Sequence, residues 1–131
     1  MTSSANSLAE IVCLVDDDPA VLKSIGRLLA SDGLGVRPFS EAKSFLAYVE
    51  AHQVPLVVLD IWMEEMSGLE AQVHLRMISP QTKIIIITGS QDQATRATAI
   101  REGAFAFFVK PFDDTQFLAA VNAALGQGRW M

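Results

Sequence analysis

The chain has little of what many catalytic and metal-binding proteins need: one cysteine, Cys13, and two histidines, His52 and His74. A single cysteine excludes an internal disulfide and any cysteine-built metal cluster. Its apolar neighbours Val12 and Leu14 place the thiol in the core. Neither histidine has a second ligand at metal spacing or the partners of a catalytic triad, so both read as non-catalytic. Positive charge is also in deficit. Ten basic against fifteen acidic residues leave a net charge of −5, which repels phosphate backbones and gives no electrostatic footprint for nucleic acid or anionic membrane. No run approaches the ~18 consecutive apolar residues of a membrane span. Met1 to Glu10 is small and polar, without the basic and apolar regions of a signal peptide. These absences lead to the expectation of a cytoplasmic protein that binds neither nucleic acid nor membrane.

What is present is core-forming material: half of the 131 residues are hydrophobic and 19% are charged, which fits one globular domain. Short apolar runs recur at Ile11–Val15, Val36–Phe39, Leu56–Leu59, Ile84–Ile87 and Phe105–Val109. The third and fourth are continuously apolar, as parallel strands covered on both faces are. Helical segments lie between the runs. Asp18 and Pro19 form an N-cap and first helical residue, and Val21, Leu22, Ile25, Leu28 and Leu29 follow on one face up to Gly33. A second helix follows Ser40, with Phe45, Leu46 and Val49 as its stripe. A third opens on Ser67-Gly68-Leu69-Glu70, which matches a capping box, and stops by Pro80. A fourth spans about Gln91 to Glu102 before Gly103, and a fifth about Asp114 to Leu125, with Phe117, Leu118, Val121 and Leu125 inward. Five strands alternating with five helices require right-handed crossovers and a doubly wound α/β fold.

In an open parallel sheet, ligands sit at the carboxyl ends of the strands where strand order reverses. Asp16 and Asp17 end the first strand, Asp60 the third and Thr88 the fourth, and Lys110 closes the fifth. Three carboxylates in one crevice repel by ~4 kcal/mol per pair at 4 Å and an effective dielectric near 20, so they need a cation. Oxygen ligands suit Mg²⁺, which commonly binds through one or two carboxylates and phosphate oxygens. Phosphoryl transfer needs its equatorial oxygens positioned and neutralised, and the metal, Lys110 and the Thr88 hydroxyl can each take one. Asp60 is the natural nucleophile. Each residue alone also has a plainer reading: Asp18 as N-cap, Asp16 and Asp17 as cap-region acids, Thr88 as a strand residue, Phe107 as core, Glu64 and Glu65 as solvated loop. Only the joint pattern overturns those readings, and for Asp18 the cap is preferred.

Val15-Asp16-Asp17-Asp18-Pro19, Val57-Val58-Leu59-Asp60, Ile85-Ile86-Ile87-Thr88-Gly89 and Val109-Lys110-Pro111-Phe112 resemble, in order and spacing, the sequence blocks of response-regulator receiver domains. The resemblance covers about Ile11 to Leu125. It implies a receiver domain at 11–125 between a polar extension, 1–10, and a short tail, 126–131, with a flavodoxin-like sheet of order 2-1-3-4-5. It further implies that Asp16, Asp17, Asp60 and the backbone carbonyl of Trp62 hold Mg²⁺, with Asp17 the more direct ligand of the acidic pair. Asp60 would take the phosphoryl group from a sensor histidine kinase or phosphotransfer protein. Lys110 would pair with that carboxylate ahead of a cis peptide to Pro111, and Thr88 and Phe107 would form a switch that alters the helix 4, strand 5 and helix 5 surface. The family implies a signalling protein whose only catalysis is its own phosphorylation and dephosphorylation, with an effector domain or output protein and a homodimer on phosphorylation.

Departures from the pattern are informative too. The family usually has proline where Glu64 stands, which predicts a less rigid loop, while Trp62 and Ser90 occupy positions that tune water access and phosphoryl lifetime. A dehalogenase-type hydrolase would carry a second aspartate where Trp62 stands. A flavin- or nucleotide-binding module would need a Gly- or Ser-rich loop where Asp16, Asp17 and Asp18 stand. Only Gly126–Met131 follow the last helix, so the chain reads as a stand-alone receiver or one cut from a longer regulator. Val36-Arg37-Pro38-Phe39-Ser40 is similar to receivers that precede helix-turn-helix domains.

Overall fold

Each apolar run becomes a strand because its alternate residues are buried on opposite sides of one sheet. The computed structural model describes residues 10–126, so the extension and tail lie outside the described residues except for Glu10 and Gly126. The elements run β1 (Ile11–Val15), α1 (Pro19–Ser31), β2 (Gly35–Phe39), α2 (Ala42–Ala51), β3 (Leu56–Asp60), α3 (Gly68–Ile78), β4 (Lys83–Thr88), α4 (Gln93–Arg101), β5 (Ala106–Val109) and α5 (Asp114–Ala124). All pairings are parallel, in the order β2-β1-β3-β4-β5. This is the doubly wound five-stranded sheet that the sequence predicts, with strand boundaries shifted by a residue.

Cys13, Val15, Val57, Leu59, Ile84, Ile86 and Phe107 face one core with Phe45, Val49, Leu75 and Ala99, so α2, α3 and α4 cover that side. Val12, Leu14, Val58, Ile85 and Ile87 face the other with Ile25, Leu29, Phe117 and Val121, so α1 and α5 cover it. Each fully buried Leu, Ile, Val or Phe stabilises by roughly 1.5–3 kcal/mol relative to exposure. Cys13 is a core thiol, with burial pushing its pKa up to about 11. Among the described residues no helix is long and apolar enough to cross a membrane.

Helix starts follow the expected capping chemistry with one exception. Asp18 Oδ1 accepts from the Ala20 amide at 2.9 Å, and Ser67 and Glu70 form the reciprocal capping box at 3.2 and 2.9 Å. Asp92 and Asp113 cap α4 and α5, so α4 begins two residues later than Gln91. Asp92's carboxyl is held below its usual range, first by the Thr95 hydroxyl and then by the Ala94 amide. The exception is α2. Ser40 lies one residue short of its cap position, which Glu41 occupies without a side-chain bond.

Candidate functional site

The register brings the polar strand ends together. Val15 pairs with Leu59 and Asp60 with Ile87, so Asp16, Asp17, Asp60 and Thr88 emerge on one edge, where the order turns from β1 to β3. The Lys110 amide donates to the Thr88 carbonyl at 2.7 Å, which brings Lys110 to the same edge; its peptide to Pro111 is cis. One carboxylate oxygen from each of Asp16, Asp17 and Asp60 lies within 4.8 Å of the others. Asp16 and Asp60 are buried, at 1% and 4% exposure, whereas Asp17 is exposed.

Among the described residues Lys110 is the single ammonium in this acidic group. Its Nζ lies 3.2 Å from Asp16 Oδ2 and 3.7 Å from Asp60 Oδ1. The expected pairing with Asp60 is therefore shared, and the nearer partner is Asp16. Asp16 Oδ1 also accepts from the Asp18 amide at 2.9 Å. Asp60 is pushed up to a pKa of about 6, first by burial and then by the charge of Asp16, with Lys110 offsetting part and Asp17 adding a little. It remains mostly ionised above pH 7.

Thr88 is fully buried, and its Oγ1 accepts from the Ser90 amide at 3.2 Å, which leaves the hydroxyl proton free to donate. Phe107 is buried on β5 beneath α4, with the Arg96 guanidinium carbon 5.4 Å from its ring centroid. Trp62, two residues after Asp60, is half exposed. Asp18 stays out of the cluster as a cap. His52 stacks on Tyr48 at 4.0 Å, and His74 is exposed, so neither joins the edge.

Sequence reading missed a contact in the loop after β3. The Glu64 amide donates to Asp17 Oδ2 at 3.3 Å, across 47 positions. A proline there has no N–H to give, so the departure at Glu64 adds a tie where a looser loop was expected. Beside Asp17 opens a cleft of about 220 Å³ walled by Glu41, Lys43, Glu64 and Glu65. The all-oxygen donors, two of them buried and with one ammonium against three carboxylates, fit a hard divalent cation.

A family model described as the response regulator receiver domain matches residues 12–122. The chain belongs to that family. The receiver domain is 41% identical over 117 residues to the response regulator protein TodT of Pseudomonas putida, covering 89% of this chain and 52% of that protein. It is 37% identical over 116 residues to the transcriptional regulatory protein FixJ of Azorhizobium caulinodans, covering 88% and 55%. It thus spans about half the length of these curated relatives. Among solved structures, a CheY-like response regulator receiver domain protein from Methanospirillum hungatei JF-1 aligns with a TM-score of 0.85 at 27% identity, covering 90% of this chain and 94% of that one. The sheet order of this receiver domain and that likeness agree on the fold.

Proposed function

We propose that this receiver domain accepts a phosphoryl group on Asp60, from a sensor histidine kinase or phosphotransfer protein of the cytoplasm, in a magnesium-dependent reaction. The observation that carries the proposal is the convergence of Asp16, Asp17 and Asp60 with Lys110 between Asp16 and Asp60. Asp16, Asp17, Asp60 and the Trp62 carbonyl would hold the ion, which when bound supplies positive charge against the carboxylates and a phosphoryl oxygen.

The chain's own groups do the rest. With a pKa of about 6, Asp60 is a nucleophile at neutral pH. Its carboxylate oxygen forms the new P–O bond as the donor's P–N bond breaks, and the electron pair leaves on the donor imidazole. Lys110 neutralises one transferring oxygen, and the Thr88 hydroxyl donates to another. The products are an aspartyl phosphate and a free histidine. Catalysis is confined to this step and its hydrolysis.

In the same reading, Thr88 drawn toward the phosphoryl group frees space for Phe107 to rotate, which disturbs Arg96 above it and so the surface of α4, β5 and α5. Moving a switch from 1:99 to 99:1 takes ~5.5 kcal/mol, within reach of a few charge-assisted hydrogen bonds at ~1.5–3 kcal/mol each. An effector domain, an output protein or a second copy would read that surface. FixJ is a transcriptional regulatory protein of which the 116 matched residues make up 55%, and transcription control by a longer chain is carried over from it by analogy.

Intact-protein mass after incubation with Mg²⁺ and acetyl phosphate, beside Asp60→Asn, tests the proposal. One phosphoryl group gained by the native chain alone, and lost with a chelator, is the expected result. No gain, or equal gain by the variant, overturns it.

A further inference from the structure

We infer that the backbone amide of Glu64 is a positioning donor for the metal site, holding Asp17 and the Trp62 loop in register before a cation arrives. The inference rests on the magnesium reading above and concerns how this chain prepares that site. Asp16 and Asp60 each have Lys110 as a partner, and both are buried. Asp17 is exposed and, among the described residues, has no ion pair; its side chain is met by the Glu64 N–H, 3.3 Å from Oδ2. Without that bond, an exposed carboxylate on a loop keeps its rotamer freedom, and that freedom is lost only when the ion binds.

The segment's construction supports this role. Its base is fixed by the Gly68 amide on the Ile61 carbonyl at 2.8 Å and the Ile61 amide on the Ile87 carbonyl at 3.2 Å. Its tip is not anchored in that way. Glu65 adopts φ 60°, a left-handed conformation that a non-glycine residue holds only when its surroundings impose it. Among the described residues the one side-chain tie there, Lys43 to Glu65 at 4.0 Å, joins two exposed ends and is worth little. Among the described residues the Glu64–Asp17 bond is therefore the polar link from the loop tip to the segment that follows β1. It joins the segment carrying the Trp62 carbonyl to the one carrying Asp17, so one bond orders two of the proposed ligands. The donor is main chain; the Glu64 carboxylate takes no part in the contact. What matters at position 64 is the presence of an N–H.

Two substitutions separate the amide from the side chain: Glu64→Gln keeps the N–H and removes the charge, whereas Glu64→Pro removes the N–H. Mg²⁺ titrations of the full chain at neutral pH, followed by Trp62 emission in a Trp130→Phe background, read the affinity. The proline variant is expected to bind about tenfold more weakly, as loss of an outer ligand contact does. The glutamine variant is expected to stay within about twofold, the effect of one exposed charge. Equal affinities for the two variants overturn the inference. Because proline also alters the loop, hydrogen exchange provides a second reading: the Glu64 amide is expected to exchange faster in Asp17→Ala than in the native chain, and an unchanged rate overturns the inference independently. A native chain whose emission ignores Mg²⁺ overturns the metal reading itself, and so differs from the case in which native and proline chains respond alike.

Discussion

Replacing Asp60 by asparagine is expected to stabilise the metal-free protein, by an amount that depends on pH in a defined way. Burial and the neighbouring Asp16 raise the Asp60 pKa from 3.8 to about 6, so the folded state disfavours its charge. A group raised on folding contributes stability fully below its unfolded pKa and loses it as pH rises through the folded value. The loss therefore develops between about pH 4 and pH 7. At 1.36 kcal/mol per pKa unit, a shift of about two units amounts to roughly 3 kcal/mol. At 4% exposure, solvent screening removes little of it. The asparagine side chain has no such ionisation. Urea unfolding of both proteins in chelator, from pH 4 to pH 8, should thus give a difference near zero at the acid end that grows to about 3 kcal/mol at pH 8 in favour of the variant. Under the proposed magnesium binding, saturating the native chain at about 100 times its Kd restores roughly 2.7 kcal/mol. A variant less stable at pH 8, or a difference independent of pH, refutes the argument that Asp60 is held against its preferred environment.

Other substitutions test the framework around it. A Cβ on Gly68 would run into the Asp60 carbonyl oxygen and stand 2.8 Å from Ile61 Cα, so Gly68→Ala should lower stability by about 2–3 kcal/mol in urea unfolding. Lys110→Met leaves buried Asp16 without its ammonium and should cost about 3 kcal/mol at neutral pH in the same assay. Gln72 is fully buried with Oε1 unpartnered; its Nε2 bond at 2.9 Å goes to the Ala99 carbonyl, which also accepts from the Ala104 amide. Gln72→Leu should accordingly leave thermal stability within about 1 kcal/mol of native or above it, and a larger loss would show that the amide is essential to α3–α4 packing.

The fold was legible where one residue's chemistry sufficed. Val, Ile and Leu runs make strands whatever surrounds them, and Asp18-Pro19 or Ser67 with Glu70 announce helix starts through bonds made within a single turn. Legibility fell where tertiary contact replaces local signal. Glu41 starts α2 without a cap bond, and α4 buries Ala99 as its single core residue, so neither start was marked by a side chain and an apolar stripe acting together. The positions of Asp16, Asp17, Asp60, Thr88 and Lys110 at strand ends could be read because a parallel sheet sends every strand end to one edge. Beyond the Lys110–Asp60 pairing that the family resemblance implied, their partners could not. Lys110 reaches Asp16 across 94 positions and Glu64 reaches Asp17 across 47, distances that no periodicity encodes.

Those long-range partners also explain how three carboxylates share one edge. Each is handled differently: Asp16 by the Asp18 amide and Lys110, Asp17 by solvent and the Glu64 amide, and Asp60 by Lys110 at the longer distance of 3.7 Å. Asp60 has the least compensation and the raised pKa, and is therefore the carboxylate that gains most from a new cation or from covalent bonding to an electrophile. Under the proposed chemistry, a phosphoryl group on Asp60 would add charge on that side of Lys110 and shift the ammonium's balance away from Asp16. The arrangement places the unmet demand for positive charge on the residue with the proposed nucleophilic role and satisfies its neighbours through backbone amides and, at Asp16, through Lys110. It thereby links the stability cost at Asp60 to its proposed reactivity, so a substitution that removes one should remove the other.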